Sequence, residues 1–299
     1  MTVEDASDIN RKVTIIIVTY KSTHIINQAL KNISNKGYRI IIVDNASNDN
    51  LEEFLNNNYQ SSQIELIKLP NNVGFSKANN IALRKTKTKY AFLLNPDAII
   101  TKDSIENLVN QADTDKNIAL AGAFDIKKEN PIPQEISQAI KDYKKTIKII
   151  DENDDYIQTN FICGGYMLLK MAIFEKIGFL DENLFLYGDD EELCKRAIAN
   201  NYKVIQVKNS LVYHNDHSST KTNGLIEKYF LLYKRYNYMG WSRVYLKRKR
   251  GKKPLKLFLS LTFQLLSSPF YLMTFGLSGF ITRLGRSIGG LKNLLFYRQ

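Results

Sequence analysis

The sequence predicts an α/β fold: a mostly parallel sheet flanked by helices, with a basic helical extension towards the C-terminus. Three observations predict it. Short β-branched apolar runs alternate with stretches of helical length. Polar residues gather directly after those runs. The charge is divided unevenly, with fifteen Lys or Arg and no Asp or Glu in residues 228–299.

VTIIIVTY (Val13–Tyr20) is a continuous apolar run and reads as a strand buried on both faces, as in a parallel sheet. RIIIVD (Arg39–Asp44), IELIKL (Ile64–Leu69) and KYAFLLN (Lys89–Asn95) repeat the type, and IALAGA (Ile118–Ala123) reads as a fifth strand. Residues 22–36, 48–57 and 75–87 have helical length. Residues 125–155 are charged and hold two prolines, which predicts a variable loop region. QTNFICGGYMLLK (Gln158–Lys170) returns to a strand pattern broken by Gly164 and Gly165. A glycine pair there marks either a close approach by a ligand or backbone, or a simple bulge. GDDEELCKRAIAN opens a helix with Leu193, Ala197 and Ile198 on one face. Residues 224–250 read as a helix, with Tyr229, Leu232, Tyr233 and Tyr236 at helical spacing.

At 299 residues and 44% hydrophobic, the chain suffices for one large domain or two smaller ones. Cys163 and Cys194 have neither CxxC spacing nor a nearby His, so a reduced, cytosolic setting is expected. The polar, acidic MTVEDASDIN predicts no signal peptide. The net charge is +12, and the basic C-terminal stretch calls for an anionic partner.

Neither GxGxxG nor GxxxxGK[ST] occurs, so dinucleotide and P-loop readings lose their main support. In open parallel sheets, ligands bind beyond the carboxyl ends of the strands. Here those ends carry Thr19-Tyr20, Asp44 to Ser47, Asn71 to Gly74 and Asn95-Pro96-Asp97. Asp44 is suited to hydrogen bonds from a base or ribose, while Asn45, Ser47 and Asn48 also suit a turn and helix cap. Pro96 fixes its own φ and biases Asn95 to an extended shape, so Asp97 is presented at a sheet edge. A carboxylate there either binds Mg²⁺ or Mn²⁺ with substrate phosphates or begins a turn. Of four consecutive acids, Glu191 and Glu192 suit a helix start, and Glu192 to Arg196 is an i,i+4 pair. That account does not require Asp189 and Asp190. Adjacent carboxylates titrate together, and one can serve as a general base.

The ordered set IIIVTY, VDNASNDN, NVGFSKANN, LLNPDAII, CGGYMLL, FLDENLFLYGDDEELCKRA and VYHNDHS resembles the inverting glycosyltransferases of family 2, with a GT-A fold. More narrowly it resembles the rhamnosyltransferase-type branch of bacterial surface-polysaccharide synthesis. The resemblance covers about Val13 to Ser219. It implies a catalytic domain over 1–223, with a nucleotide-sugar half near 13–123 and an acceptor half near 156–223. It implies Thr19, Tyr20 and Asp44 in the nucleotide pocket, with Asn72, Gly74 and Asn80 under the nucleotide and diphosphate. Asn95, Pro96 and Asp97 take the place of the family's DxD, which makes Asp97 a ligand of a divalent cation. Gly164 and Gly165 would border the acceptor, and His214 matches a histidine near the metal or diphosphate. Asp190 is implied as the base, with Asp189 beside it. Asn95 removes one charge from the DxD, and Asp189 stands where relatives often carry Glu. The implied partners are a nucleotide-sugar donor, led by dTDP-rhamnose with UDP-sugars as the alternative, and a lipid-linked saccharide acceptor. A catalytically inactive scaffold of the same fold is the competing class.

The tail, 224–299, carries YLKRKRGKK and then an uncharged stretch from Leu257 to Thr282. Its serines, threonines and Pro269 make that stretch a poor transmembrane helix, and basic residues flank both ends. Helices lying in the cytoplasmic membrane interface are expected, with residues 245–298 on anionic lipid. An ordinary helical subdomain, a homo-oligomer contact and a true span are the alternatives. Nucleic acid is not expected, because no nucleic-acid-binding fold signal accompanies the basic run.

Overall fold

A computed structural model describes residues 9–59, 63–100, 103–214 and 224–297. The chain forms two compact units, Met1–Glu182 with Asp190–Thr220, and Asn183–Asp189 with Lys221–Gln299.

The first unit is built on one sheet. Strands β1 (Val13–Thr19), β2 (Arg39–Asp44), β3 (Ile64–Lys68) and β4 (Tyr90–Leu94) alternate with helices α1 (Ile26–Lys31), α2 (Leu51–Asn58) and α3 (Phe75–Lys85). There follow β5 (Ala98–Ile100), α4 (Ser104–Thr114), β6 (Ile118–Ile126), α5 (Pro133–Thr146), β7 (Ile149–Glu152) and β8 (Tyr156–Thr159). β9 (Tyr166–Lys170), α6 (Met171–Ile177), α7 (Asp189–Ala199) and β10 (Lys203–His214) complete the series. The sheet order is β3-β2-β1-β4-β9-β6-β10-β8-β7, with β5 paired to β10. All five predicted strands form. Alternate residues of β1 enter two different cores: Ile15 and Ile17 face one, Ile16 the other. That two-sided burial is why the run reads as continuously apolar.

The sheet is mixed. β3, β2, β1 and β4 are mutually parallel, as are β6 and β10. β9 runs antiparallel between β4 and β6, and β8, β7 and β5 join antiparallel as well. The reversal of β9 matters because it brings the start of that strand, next to Gly164 and Gly165, to the carboxyl end of β4.

Residues 125–155, expected to be a loop region, instead contain α5 and β7, which pairs with β8 just beyond them. Pro133 occupies the first turn of α5, where the missing N–H is no loss, and the Glu135 carboxylate accepts from the Ile132 N–H at 3.1 Å. No residue of α5 is fully buried, although Ile136, Ala139, Ile140 and Tyr143 form an apolar stripe along it.

In the second unit, α8 (Leu225–Lys249), α9 (Pro254–Leu266) and α10 (Ser268–Phe296) pack together. α8 and α10 approach at backbone distance. A Cβ on Gly289 would stand 1.9 Å from the Asn237 carbonyl oxygen, and one on Gly240 2.1 Å from that of Arg286. Gly285 and Gly289 are four apart on one helix face, the small-residue spacing that lets helices touch. Arg248 donates to the carbonyls of Asn293 and Tyr297 at 2.9 and 3.0 Å. Asn183–Asp189 belongs here: Leu184 is buried with Tyr245 and Leu246, Phe185 stacks on Tyr238, and the Ser242 hydroxyl donates to Leu186 O at 3.0 Å. Among the described residues no single helix is long and apolar enough to cross a membrane, but α9 and α10, bent by 63°, would suffice as a pair.

Candidate functional site

Parallel strands deliver their carboxyl ends to one edge, and the sequence loads that edge with polar groups. Asn45 is the hub at the end of β2. Its amide N–H donates to Asn72 Oδ1 at 3.1 Å and to the Gly74 carbonyl at 3.3 Å, while its Oδ1 accepts from the Val73 N–H at 2.8 Å. Asn72 Oδ1 also takes the Gly74 N–H at 3.0 Å. Gly74, at φ 87°, can turn the chain into α3 as a side-chain-bearing residue could not without strain. Asp44 is buried and accepts the Ser47 N–H at 2.9 Å, and the Ser47 hydroxyl accepts the Lys21 N–H at 2.9 Å. Thr19 is buried at the end of β1, and Tyr20 beside it is exposed. Lys21, Ala46, Asn48 and Asn50 all have positive φ without being glycine. Strain of that kind concentrates where a loop is held for function.

Asn80 is placed differently. Its amide donates to Leu180 O at 2.8 Å and Glu182 Oε1 at 3.0 Å, and its oxygen accepts the Leu180 N–H at 3.0 Å. All three bonds strap α3 to the Leu180–Glu182 loop.

The segment after β4 meets the glycine pair directly. The Asn95 N–H donates to Gly165 O at 2.7 Å, and a Cβ on Gly165 would lie 2.5 Å from Asn95 Nδ2. The Asn95 side chain thus lies over Gly165, where a Cβ would force it to shift. Asp97 precedes β5, and β5 pairs antiparallel with the end of β10 so that Ala98 stands opposite His214. The register thus brings Asp97 and His214 to the same edge. The side chain of His214 lies outside the described residues.

Asp190 is in the first turn of α7. Its Oδ2 accepts the Gly164 N–H at 3.4 Å and its Oδ1 the Glu191 N–H at 2.8 Å. Burial pushes its carboxyl above the usual aspartate range, against the lowering pull of these N–H groups. Asp189 is buried. Glu191 pairs with Lys195, and Glu192, also buried, forms a bidentate pair with Arg196 at 2.8 and 3.0 Å. The Arg196 guanidinium also donates to the Ile177 carbonyl at 2.7 Å, and to those of Gly178 and Phe179. Glu191 and Glu192 thus hold the helix, leaving Asp190 on the glycine pair. Cys163, next to it, has its thiol pushed up to about 11, chiefly by burial.

Two residues here carried no signal in isolation. Asp49 accepts the Thr23 N–H at 3.0 Å with one oxygen while the other is buried without a protein partner. Ser76 Oγ, in the first turn of α3, is likewise buried and unpartnered. Both stand inside the quoted motifs, so spacing alone could have flagged them.

A family model described as Glycosyl transferase family 2 matches residues 14–178. The low-salt glycan biosynthesis hexosyltransferase Agl10 of Haloferax volcanii is 26% identical over 219 residues, covering 68% of this chain and 66% of that protein. The dTDP-rhamnosyl transferase RfbF of Shigella flexneri is 26% identical over 201 residues, 66% of each chain. The match thus spans just under two thirds of each of these relatives, 66% of their length. Among solved structures, the mannosyltransferase PcManGT of Pyrobaculum calidifontis, in complex with GDP-Man and Mn²⁺, superposes with a TM-score of 0.58. It covers 95% of this chain and 87% of its own at 15% identity, a likeness that establishes the GT-A fold.

Proposed function

The chain belongs to glycosyl transferase family 2, and from that premise we propose that it moves a hexose from a nucleoside-diphosphate sugar to a saccharide hydroxyl with inversion. The observation that carries this reading is Asp190, a carboxylate with raised basicity held by the same glycine pair that cradles Asn95. Asp190 takes the proton of the acceptor hydroxyl. The hydroxyl oxygen forms a bond to the anomeric carbon as the bond from that carbon to the diphosphate oxygen breaks. The nucleoside diphosphate leaves with the electron pair. The Asn45–Asn72–Gly74 network shapes the floor at the start of α3, beside Asp44.

A divalent cation fits the donor set. Asp97 supplies a carboxylate, His214 ends the strand paired beside it, and phosphate oxygens would fill the rest, the usual pattern for Mg²⁺ and Mn²⁺. When bound, the ion would offset charge on the departing diphosphate. Rhamnose from dTDP-rhamnose leads as donor, on the Asn95-Pro96-Asp97 pattern and the likeness to RfbF. A UDP-sugar is the second reading.

The second unit suits a membrane surface carrying a lipid-linked acceptor. Arg250, Lys252, Lys253 and Lys256 are exposed and lead directly into the exposed apolar face of Leu255, Phe258 and Leu259. The place proposed is the cytoplasmic face of the cell membrane.

Calorimetry with dTDP, UDP and GDP, with and without Mg²⁺ or Mn²⁺, tests the donor. One nucleotide should bind selectively, more tightly with metal, and more weakly to Asp97→Ala. Binding of none would sink the enzyme reading and leave the inactive-scaffold class. Flotation of the full chain with anionic vesicles tests the membrane reading, which fails if the protein stays at the bottom of the gradient.

A further inference from the structure

A cleft of about 940 Å³ opens between the carboxyl end of β6, helix α5 and the Phe161–Tyr166 segment. That is large for a small-molecule site, which typically holds about 300–1,000 Å³. Its walls carry Phe124, Tyr143, Phe161, Tyr166 and Tyr213. Several of these rings are fixed. The Tyr143 hydroxyl donates to Phe161 O at 2.7 Å, and its ring meets Phe124 edge-on with centroids 5.1 Å apart. The Tyr166 hydroxyl donates to Asp125 Oδ2 at 3.2 Å.

One polar group in the cleft wall is left over. Gln206 is 3% exposed, and its Nε2 donates to the Ala123 carbonyl. A carbonyl only accepts, so this bond fixes the amide orientation and turns Oε1 the other way. Oε1 is buried and has no hydrogen-bond partner. Gly122 leaves it room, since a Cβ there would lie 2.7 Å from that oxygen. A buried acceptor without a donor costs about 1–3 kcal/mol. Helix α5, the opposite wall, has no fully buried residue, so its inner face is still open.

Two lining residues adjoin the proposed reacting groups in sequence. Cys163 lines it, and the next residue, Gly164, donates to Asp190. Tyr213 lines it and precedes His214, opposite Ala98.

We propose that this cleft seats the pyranose ring of the acceptor, its apolar C–H face on the aromatic walls and one of its hydroxyls donating to Gln206 Oε1. The proposal rests on the glycosyltransferase reading and adds to it where the acceptor sugar binds and which residue selects it. A sugar supplies both things the cleft asks for, apolar faces and a donor. An alkyl chain has no donor for Oε1. A phosphodiester carries only acceptors and would repel it. The wall comes from α5, so acceptor choice resides in 131–147 and Gln206 rather than in the nucleotide edge.

Saturation-transfer NMR on the full chain tests this, with methyl glycosides of rhamnose, glucose, galactose, mannose and N-acetylglucosamine, and with 1-octanol as the apolar probe. Wild type, Gln206→Met and Ala139→Trp are compared, Ala139 lining the cleft from α5. At least one glycoside should show ring-proton saturation in wild type, reduced fivefold or more in both variants. Nucleotide affinity by calorimetry should stay within twofold, which also shows that the variants fold. Should Gln206→Met fail to fold, Ala139→Trp carries the comparison alone. Undiminished saturation in Ala139→Trp overturns the proposal, as does saturation of octanol but no glycoside. Nucleotide binding with no glycoside binding sinks this inference alone. Failure of wild type to bind any nucleotide sinks the proposed function, and this inference with it.

Discussion

The first strand of the sheet unit and the last helix of the helical unit bury opposite kinds of residue. In the sheet unit every residue of β1 except Val18 is buried, and the polar groups stand at the strand ends. In the helical unit the buried positions of α10 are Ser268, Gly285, Ser287, Gly289, Gly290 and Asn293. Large apolar residues at and after the start of that helix lie outside, with Phe270 70% and Met273 86% exposed, while Val244, Leu257 and Leu261 form a small apolar core within the unit. The sheet unit is a protein folded by water, its apolar area removed from solvent. Contact by glycine and serine with apolar groups outward is how helices associate where the surroundings are themselves apolar. The contrast is what the proposed placement of the helical unit on a membrane surface would call for.

The largest effect expected within the sheet unit separates chemistry from folding. Asp190→Asn should lower transfer by about 10²–10⁴-fold, the usual worth of a general base. Its thermal midpoint should equal or exceed wild type. Burial raises the pKa of Asp190 in the fold, so stability falls as pH rises through the interval between the ordinary and the raised value. Asparagine removes that penalty, so the gap between variant and wild type should shrink as pH is lowered below that interval. A lower midpoint at neutral pH would make Asp190 a structural residue. For the same reason the acid limb of the rate profile should lie above the ordinary aspartate value of about 3.9.

Arg196→Ala tests the packing of the same unit. It removes the guanidinium that pairs with the buried Glu192 carboxylate and donates to the carbonyl of Ile177, so a loss of about 3–5 kcal/mol is expected in urea unfolding followed by circular dichroism. Gly289→Leu is the counterpart in the helical unit. The added side chain meets the Asn237 backbone, and overpacking should remove about 1–3 kcal/mol. Trp241 is the chain's one tryptophan and lies among the aromatic residues of that unit, so its fluorescence should report the loss there. Equal shifts by both probes for both variants would mean the units unfold as one. The smallest stability effect belongs to Met273→Asp, within about 0.5 kcal/mol because the site is exposed. It should nevertheless reduce vesicle flotation severalfold. Unchanged flotation would break the proposed contrast between the two media.

The parallel half of the sheet was legible because strands buried on both faces show as unbroken β-branched runs. The α7 start was legible because its acids and Arg196 keep i,i+4 spacing. The direction of β9 was not, since a buried strand has the same composition either way up. Pro131 and Pro133 read as loop markers although Pro133 opens α5, and the charged residues around it masked the helical spacing of Ile136, Ala139, Ile140 and Tyr143. The need for glycine at 165 depends on Asn95, far away in sequence, and no local pattern records it. Gln206 belongs to no motif. It gains meaning only when its amide oxygen is found without a donor.

Asn183–Asp189 packs with the helical unit although the chain on both sides of it, through Glu182 and from Asp190 onward, belongs to the sheet unit. The two units are therefore threaded rather than strung in series. No single cut after residue 220 yields an intact sheet unit, because the heptapeptide leading to Asp190 would lose Tyr238, Ser242 and Tyr245. In a graft that joins this sheet unit to another helical unit, those seven residues would have to travel with the helices that hold them, so the tail and the segment that leads to Asp190 can change only together.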